Sequence, residues 1–253
     1  MSRFLTAGVL SQPLFLAETR AYISRVNTAG GEVQDAKKTD ELIGLLVDEG
    51  IYSNLKFGAT PYTGLKFTSS LIDTIYDLST SNNDGTQSTS SRRASLSGSN
   101  FVFDYDSYLI SLGDLSSWTV VAYIESQDNT QVNPIVGKAS NTNGSLNIDE
   151  VGDLRYIRND GTGFSRTPPT SFHNSLSTAG HTVAVSTSGN QLFLQNGSQY
   201  DTAAGASSDR ILSADYIGQS GSLYFKGNIR GMFIFSGSIT NAKISTLDSF
   251  LRS

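Results

Sequence analysis

Residues 223–253 read LYFKGNIRGMFIFSGSITNAKISTLDSFLRS, and this stretch decides how the chain is read. It begins as a strand. Ile229, Gly231, Phe233 and Phe235 alternate onto one side, which is wholly apolar or small. Asn228, Arg230, Met232 and Ile234 fall on the other, a mixed face suited to lying under loops or a partner. Ser236-Gly237-Ser238 breaks the strand. Thr240 then stands as N-cap of a short helix whose Ile244, Leu247 and Leu251 share one side. A half-buried strand, a turn and a short docking helix form the end of this sequence.

The composition agrees with a β-rich protein. The 253 residues are 38% hydrophobic and only 16% charged, and Gly, Ser, Thr and Asn fill much of the rest. That length holds one large all-β domain or two small ones. The net charge is −5 with no basic run, which argues against a nucleic-acid partner, because phosphates need clustered Lys and Arg. The chain has no Cys and two His, so neither disulfides nor a transition-metal site is expected. No stretch reaches the ~18 apolar residues of a membrane span, so no membrane insertion is expected. Phe4–Ala17 is mildly apolar, interrupted by Ser11, Gln12 and Pro13. It resembles a poor signal peptide, and we expect it to be retained and to pack, for instance on a neighbouring subunit.

Glu18–Val26 sets Tyr22, Ile23 and Val26 at helical spacing, and Thr28-Ala29-Gly30-Gly31 stops it. Asp35–Glu49 repeats the pattern with Leu42, Ile43, Leu45 and Leu46, and Gly50 is placed to cap it. Ile51, Tyr52, Leu55 and Phe57 carry either a further helical turn or the entry to a strand. This helical hairpin of about forty residues is too small to hold a core alone, so it must dock on the β-domain or on another chain. The sequence therefore divides into an N-terminal docking segment, 1–60, and a sandwich, 61–253, with a Ser/Thr-rich polar loop at 79–99. That loop reads as surface, with disorder as the alternative. The composition change also predicts that residues from about 100 fold autonomously.

Phe101-Val102-Phe103 reads as a short strand and Ser117–Glu125 as a long one. In the long strand Trp118, Val120, Ala122 and Ile124 face one way, with Thr119, Val121 and Tyr123 opposite. Pro134–Lys138, Ser145–Ile148 and Leu154–Arg158 follow, the last two joined by a turn at Asp149–Asp153. His181–Thr187 and Gln191–Gln195 form a hairpin around Ser188-Gly189-Asn190, and Asn196-Gly197 makes the next turn. Trp118, the sole tryptophan, reads as core, with an exposed ligand platform as the rival reading. Phe233 reads as core too.

Several of these phrases resemble a known family. The strand Gly227-Asn228-Ile229 through Phe235 with its closing helix resembles the end of concanavalin A-like, laminin-G-like jelly rolls. A helical pair followed by such a sandwich recurs in bacteriophage virion proteins, and Ala21-Tyr22-Ile23 with Leu45–Tyr52 is similar to it. The segment Tyr76-Asp77-Leu78-Ser79-Thr80-Ser81-Asn82-Asn83-Asp84-Gly85-Thr86-Gln87 is the most specific match. The chain departs from the pattern at Arg92-Arg93, where Pro is usual, and at Phe103-Asp104-Tyr105-Asp106. The resemblance implies a mainly β protein, a concanavalin A-like jelly-roll sandwich of two antiparallel sheets with an N-terminal helical hairpin and a short C-terminal helix. It also implies a non-enzymatic structural component of a tailed-phage virion, on a tail fibre, baseplate or capsid surface. The implied partners are other virion proteins, met through the N-terminal segment, further copies of the chain, and a host-surface glycan. The alternatives are a carbohydrate-binding module for host glycans and, third, a glycan-degrading enzyme.

The residues themselves offer little catalysis. A retaining glycosidase needs two carboxylates ~5–5.5 Å apart, and after residue 100 the only Glu are Glu125 and Glu150. Asp149, Glu150 and Asp153 cluster in a turn. Gly218-Gln219-Ser220-Gly221-Ser222 misses the nucleophile-elbow spacing, His181 opens a strand, and His173 follows Pro168-Pro169 in a loop. Asn143 and Asn196 head glycosylation-like triplets that read as ordinary turns. Sugar binding needs an exposed ring beside planar polar groups, and Tyr105, Tyr108, Tyr156 and Phe164 sit near loops. The resemblance allows one cofactor, a calcium ion at the sandwich rim, for which Asp104 and Asp106 are the candidate ligands.

Overall fold

The computed structural model describes residues 15–128, 130–140, 143–157, 163–167, 181–188, 190–196, 198–203 and 211–253. Three helices are described: α1 (Ala17–Thr28), α2 (Ala36–Asp48) and α3 (Asn241–Arg252). The principal strands are β1 (Leu55–Ala59), β2 (Gly64–Thr68), β3 (Leu71–Ile75), β4 (Asn100–Asp106), β5 (Trp118–Gln127), β6 (Asn133–Gly137) and β7 (Ser145–Ile148). They continue with β8 (Leu154–Ile157), β9 (Gly163–Arg166), β10 (His181–Ser188), β11 (Asn190–Gln195), β12 (Ser198–Ala203) and β13 (Leu223–Ser236).

These strands build two antiparallel sheets. The first runs β12–β11–β10–β5–β13, and β1 and β4 share the far side of β13, β1 along its C-terminal half and β4 along its N-terminal half. The second runs β9–β8–β7–β6, then through the short rungs Tyr216–Ile217, Tyr108–Leu109 and Gly85–Thr86 to β3 and β2. Ser95–Ser97 pairs with β4 and touches the start of β3, which stitches the two sheets along one edge.

The centre of the first sheet is buried on both faces. Trp118, Val120, Ala122 and Ile124 of β5 enter the core between the sheets, with Met232 and Ile234 of β13. Val121, Tyr123, Phe233 and Phe235 lie in a second core beneath the helices, with Tyr22, Val26, Leu42 and Leu46 from α1 and α2 and Ile244, Leu247 and Leu251 from α3. A strand covered on both sides reads as a continuous apolar run, which explains Trp118–Ile124. The mixed face expected of β13 carries Met232 and Ile234 into the inter-sheet core, while the Phe side meets the helices. The expectation that Ile229 shares a face with Phe233 is wrong. Tyr123 pairs with Gly231 but Ile124 pairs with Ile229, so Arg230 is an extra residue that reverses the alternation. Ile229 thus joins the inter-sheet core.

Local signals set the helix ends. Asp35 accepts a hydrogen bond from the Lys38 N–H at 2.9 Å and caps α2. At its other end Gly50 takes φ +65, Gly50 N–H donates to Val47 O and Ile51 N–H to Leu46 O, the paired closure that glycine permits. Gly30 ends α1 in the same way, with φ +79. Thr240 occupies the N-cap position of α3 as expected. After α2 a single 3₁₀ turn, Tyr52–Asn54, leads into β1, so both alternatives read for Ile51–Phe57 occur in succession.

The polar loop at 79–99 contains the rungs Gly85–Thr86 and Ser95–Ser97 and a 3₁₀ turn, Ser90–Arg92. Leu55–Ala59, grouped in the sequence with the docking segment, is a strand of the first sheet. A fragment beginning at Asn100 loses β1 and leaves Val121, Phe233 and Phe235 with α3 but without the cover of α1 and α2. Against the expectation from composition, Asn100–Ser253 expressed alone should be insoluble, and a soluble fragment with a cooperative unfolding transition would show that the helical layer is dispensable. Trp118 and Phe233 are both wholly buried, so Trp118→Ala and Phe233→Ala should each cost about 3–5 kcal/mol in chemical denaturation.

Candidate functional site

The most specific segment of the sequence, Tyr76–Gln87, is a clasp. Asp77 Oδ1 accepts from the N–H groups of Gly58 and Ser79, each at 2.9 Å, and Oδ2 accepts from the Ser79 hydroxyl and from the Asn83 N–H at 3.0 Å. Burial pushes this carboxyl above the usual range, and those hydrogen bonds work against the shift. Asp84 accepts from the Asp77 N–H and takes both oxygens to Arg25 of α1, at 2.8 and 2.9 Å. Tyr22 donates to Tyr76 O and accepts from the Gly64 N–H. The segment ties α1 to β1 and β2.

The candidate rings separate. Tyr108 and Tyr156 are wholly buried. Tyr108 donates to Ile72 O at 2.8 Å, and Tyr156 donates to Ile211 O at 2.8 Å and packs against Trp118. Neither ring is open to a sugar, which corrects the reading of both as candidate ligand contacts, while Trp118 lies in the core as expected. Tyr105 is 45% exposed. It is the extra residue where Phe225 pairs with Asp106 and Lys226 with Asp104, and the Lys226 Nζ lies 4.8 Å from its ring centre. Phe164 lies in β9, and His173, Pro168 and Pro169 lie outside the described residues. Ser220 is buried in a two-residue rung against β13. Asp149 closes its turn by accepting from the N–H groups of Val151 and Asp153.

Asp104 and Asp106 do not fit calcium. Asp106 Oδ2 already accepts from the Asp104 N–H at 2.7 Å. The Lys226 ammonium stands 3.7 Å from Asp104 and 3.6 Å from Asp128, where a cation would need carboxylate and carbonyl oxygens. Among the described residues no cluster of three His, Cys, Asp or Glu side chains converges.

The helices cover the centre of the first sheet, and the second sheet has no helix over it among the described residues. A groove of about 310 Å³ crosses its strands, lined by Asp73, Thr74, Thr86, Gln87, Ser88, Leu109 and Tyr216. Its floor is one register row: Thr74 pairs with Thr86, Thr86 with Leu109, and Leu109 with Tyr216. Leu109 is 38% exposed. Asp73 is another bulge, left over where Lys66 pairs with Thr74 and Phe67 with Ile72. Arg93 holds Asp73 at 2.7 Å and donates through Nε to Gln87 O at 2.7 Å. The Gln87 amide is fixed between Ser107 O and the Thr89 N–H. The groove thus presents a ring, a leucine, hydroxyls and an oriented carboxylate on a rigid floor.

A larger cleft, about 490 Å³, lies between α1 and the clasp. Three of its polar side chains are engaged within the protein, Arg25 by Asp84, Tyr22 by backbone on both sides, and Tyr52 by Leu78 O at 3.0 Å, while Glu18, Thr80 and Asn82 are exposed. Sequence reading missed Tyr216, Leu109 and Asp73, because two-residue rungs show no alternation and a bulge leaves no periodic trace.

No protein-family model matches the chain, and no curated protein matches it either. Solved structures do share its fold. The binding domain of botulinum neurotoxin serotype D is 15% identical with a TM-score of 0.52, over 79% of this chain and 52% of that one. A botulinum neurotoxin type C structure, reported with cell entry dependent upon interaction with two ganglioside molecules, is 15% identical with a TM-score of 0.51, over 81% of this chain and 53% of that one. The binding domain of Paraclostridial Mosquitocidal Protein 1 is 13% identical with a TM-score of 0.51, over 78% and 52%. The chain spans about half the length of each. The clasp, in contrast, is checked by stability: Asp77→Asn turns an amide toward backbone donors, and should lower the unfolding free energy by about 1–3 kcal/mol.

Proposed function

We propose that this protein is a non-enzymatic glycan-binding sandwich that uses the groove on the second sheet, displayed on a tailed-phage virion and assembled there through its N-terminal segment. The groove is the observation that carries the reading. Tyr216 and Leu109 supply an apolar surface for the CH faces of a sugar ring, and Thr74, Thr86, Ser88 and Asp73 supply donors and acceptors for hydroxyls. The fixed amide of Gln87 and the Arg93–Asp73 pair keep the floor in place without a ligand, which lowers the ordering cost of binding. The shared sandwich fold of toxin binding domains, one of them tied to gangliosides, favours a glycan partner. The resemblance of Tyr76–Gln87 and the helical pair to phage virion proteins favours the particle.

Binding fits the groove better than hydrolysis. Among the described residues Asp73 is the only carboxylate in its lining, and it is ion-paired, whereas glycosidases work with two. On an array of bacterial envelope glycans the protein should bind a defined subset. Tyr216→Ala and the groove-filling Thr86→Arg should each lose that binding with little change in melting temperature. Undiminished binding by both variants would remove the groove from the reading.

A further inference from the structure

The register row that floors the groove continues past Thr74. Lys66 of β2 pairs directly with Thr74, and paired residues on one face hold their Cβ atoms ~4.5–5.5 Å apart. Lys66 is half-buried and, among the described residues, enters no ion pair. The Asp73 carboxylate beside it is drawn to Arg93 at 2.7 Å. Across neighbouring strands the row therefore reads ring, leucine, hydroxyl, hydroxyl, ammonium, from Tyr216 to Lys66. With strands ~4.8 Å apart, five positions span about 19 Å, room for a short oligosaccharide laid across the sheet. The chain as a whole carries −5, so its general field repels anions, and attraction of one has to come from a local, uncompensated cation.

We propose that the groove selects an acidic glycan, whose anionic group, carboxylate or phosphate, rests on Lys66 while its neutral rings lie on Tyr216 and Leu109. This rests on the groove being the glycan site. The test uses the full chain against immobilised glycans in matched sets: neutral, carboxylated and phosphorylated forms of the same backbone. One acidic form should bind about tenfold more tightly than its neutral parent, and added salt should narrow the gap. The form preferred identifies the anion. Lys66→Met, which keeps the apolar stem, should erase the preference and leave neutral binding intact, and Lys66→Arg should retain it. Equal binding of acidic and neutral forms, or an unchanged preference in Lys66→Met, overturns the proposal while leaving the groove. If Tyr216→Ala and Thr86→Arg both bind as the parent does, or if the parent binds no glycan, both readings fall.

Discussion

The ion pair between Glu125 and Arg230 marks the constraint on which the first sheet depends. That sheet must satisfy two cores at once, and β13 is long enough to serve both. Its C-terminal half gives Phe233 and Phe235 to the helices. Its N-terminal half gives Phe225 and Ile229 to the inter-sheet core. A regular strand cannot change allegiance partway. Arg230 is inserted on β13, Glu125 is inserted on β5, and the register resumes with Ser126 opposite Asn228. The two surplus residues carry opposite charges and meet. Arg230 also donates to Leu251 O in the last turn of α3 at 3.2 Å and lies over Tyr123, so the irregularity that reverses the strand also fixes the closing helix.

The clasp solves a second problem with the same economy of parts. Helices laid on a sheet pack without directional preference if only apolar side chains meet. The carboxylates of Asp77 and Asp84 add direction, since each collects donors from different elements: Gly58 on β1, Arg25 on α1, and the loop's own backbone. Tyr22 and Tyr76 join the same seam by hydrogen bonds to backbone carbonyls. A polar, turn-rich sequence is thereby held by hydrogen bonds from several elements, and it runs directly into Thr86–Ser88, which line the groove.

How much of this could be read from the sequence follows from the same features. The long alternating segments at 118–124 and 223–236, the helix stops at Gly30 and Gly50, and the inward side of α3 were all legible, because period and capping chemistry are local. The face of Ile229 and the outward turn of Asp73 were not, and both sit at bulges. Tyr108 and Tyr156 looked like loop-edge rings because their strands are two and four residues long, too short for alternation to reveal that they point inward. The groove was invisible for a further reason: Thr74, Thr86, Leu109 and Tyr216 are brought into one row only by pairing between distant rungs.

The stacking order of the layers gives the molecule a front and a back. All three described helices lie on the outer side of the first sheet, and the groove opens on the outer side of the second, with the inter-sheet core between them. A neighbour that grips the helical side leaves the groove unobstructed, and successive copies held in that way would all turn the same side toward the surroundings. Many weak contacts would then act together on a repetitive surface, each added copy converting a fresh encounter into a tethered one.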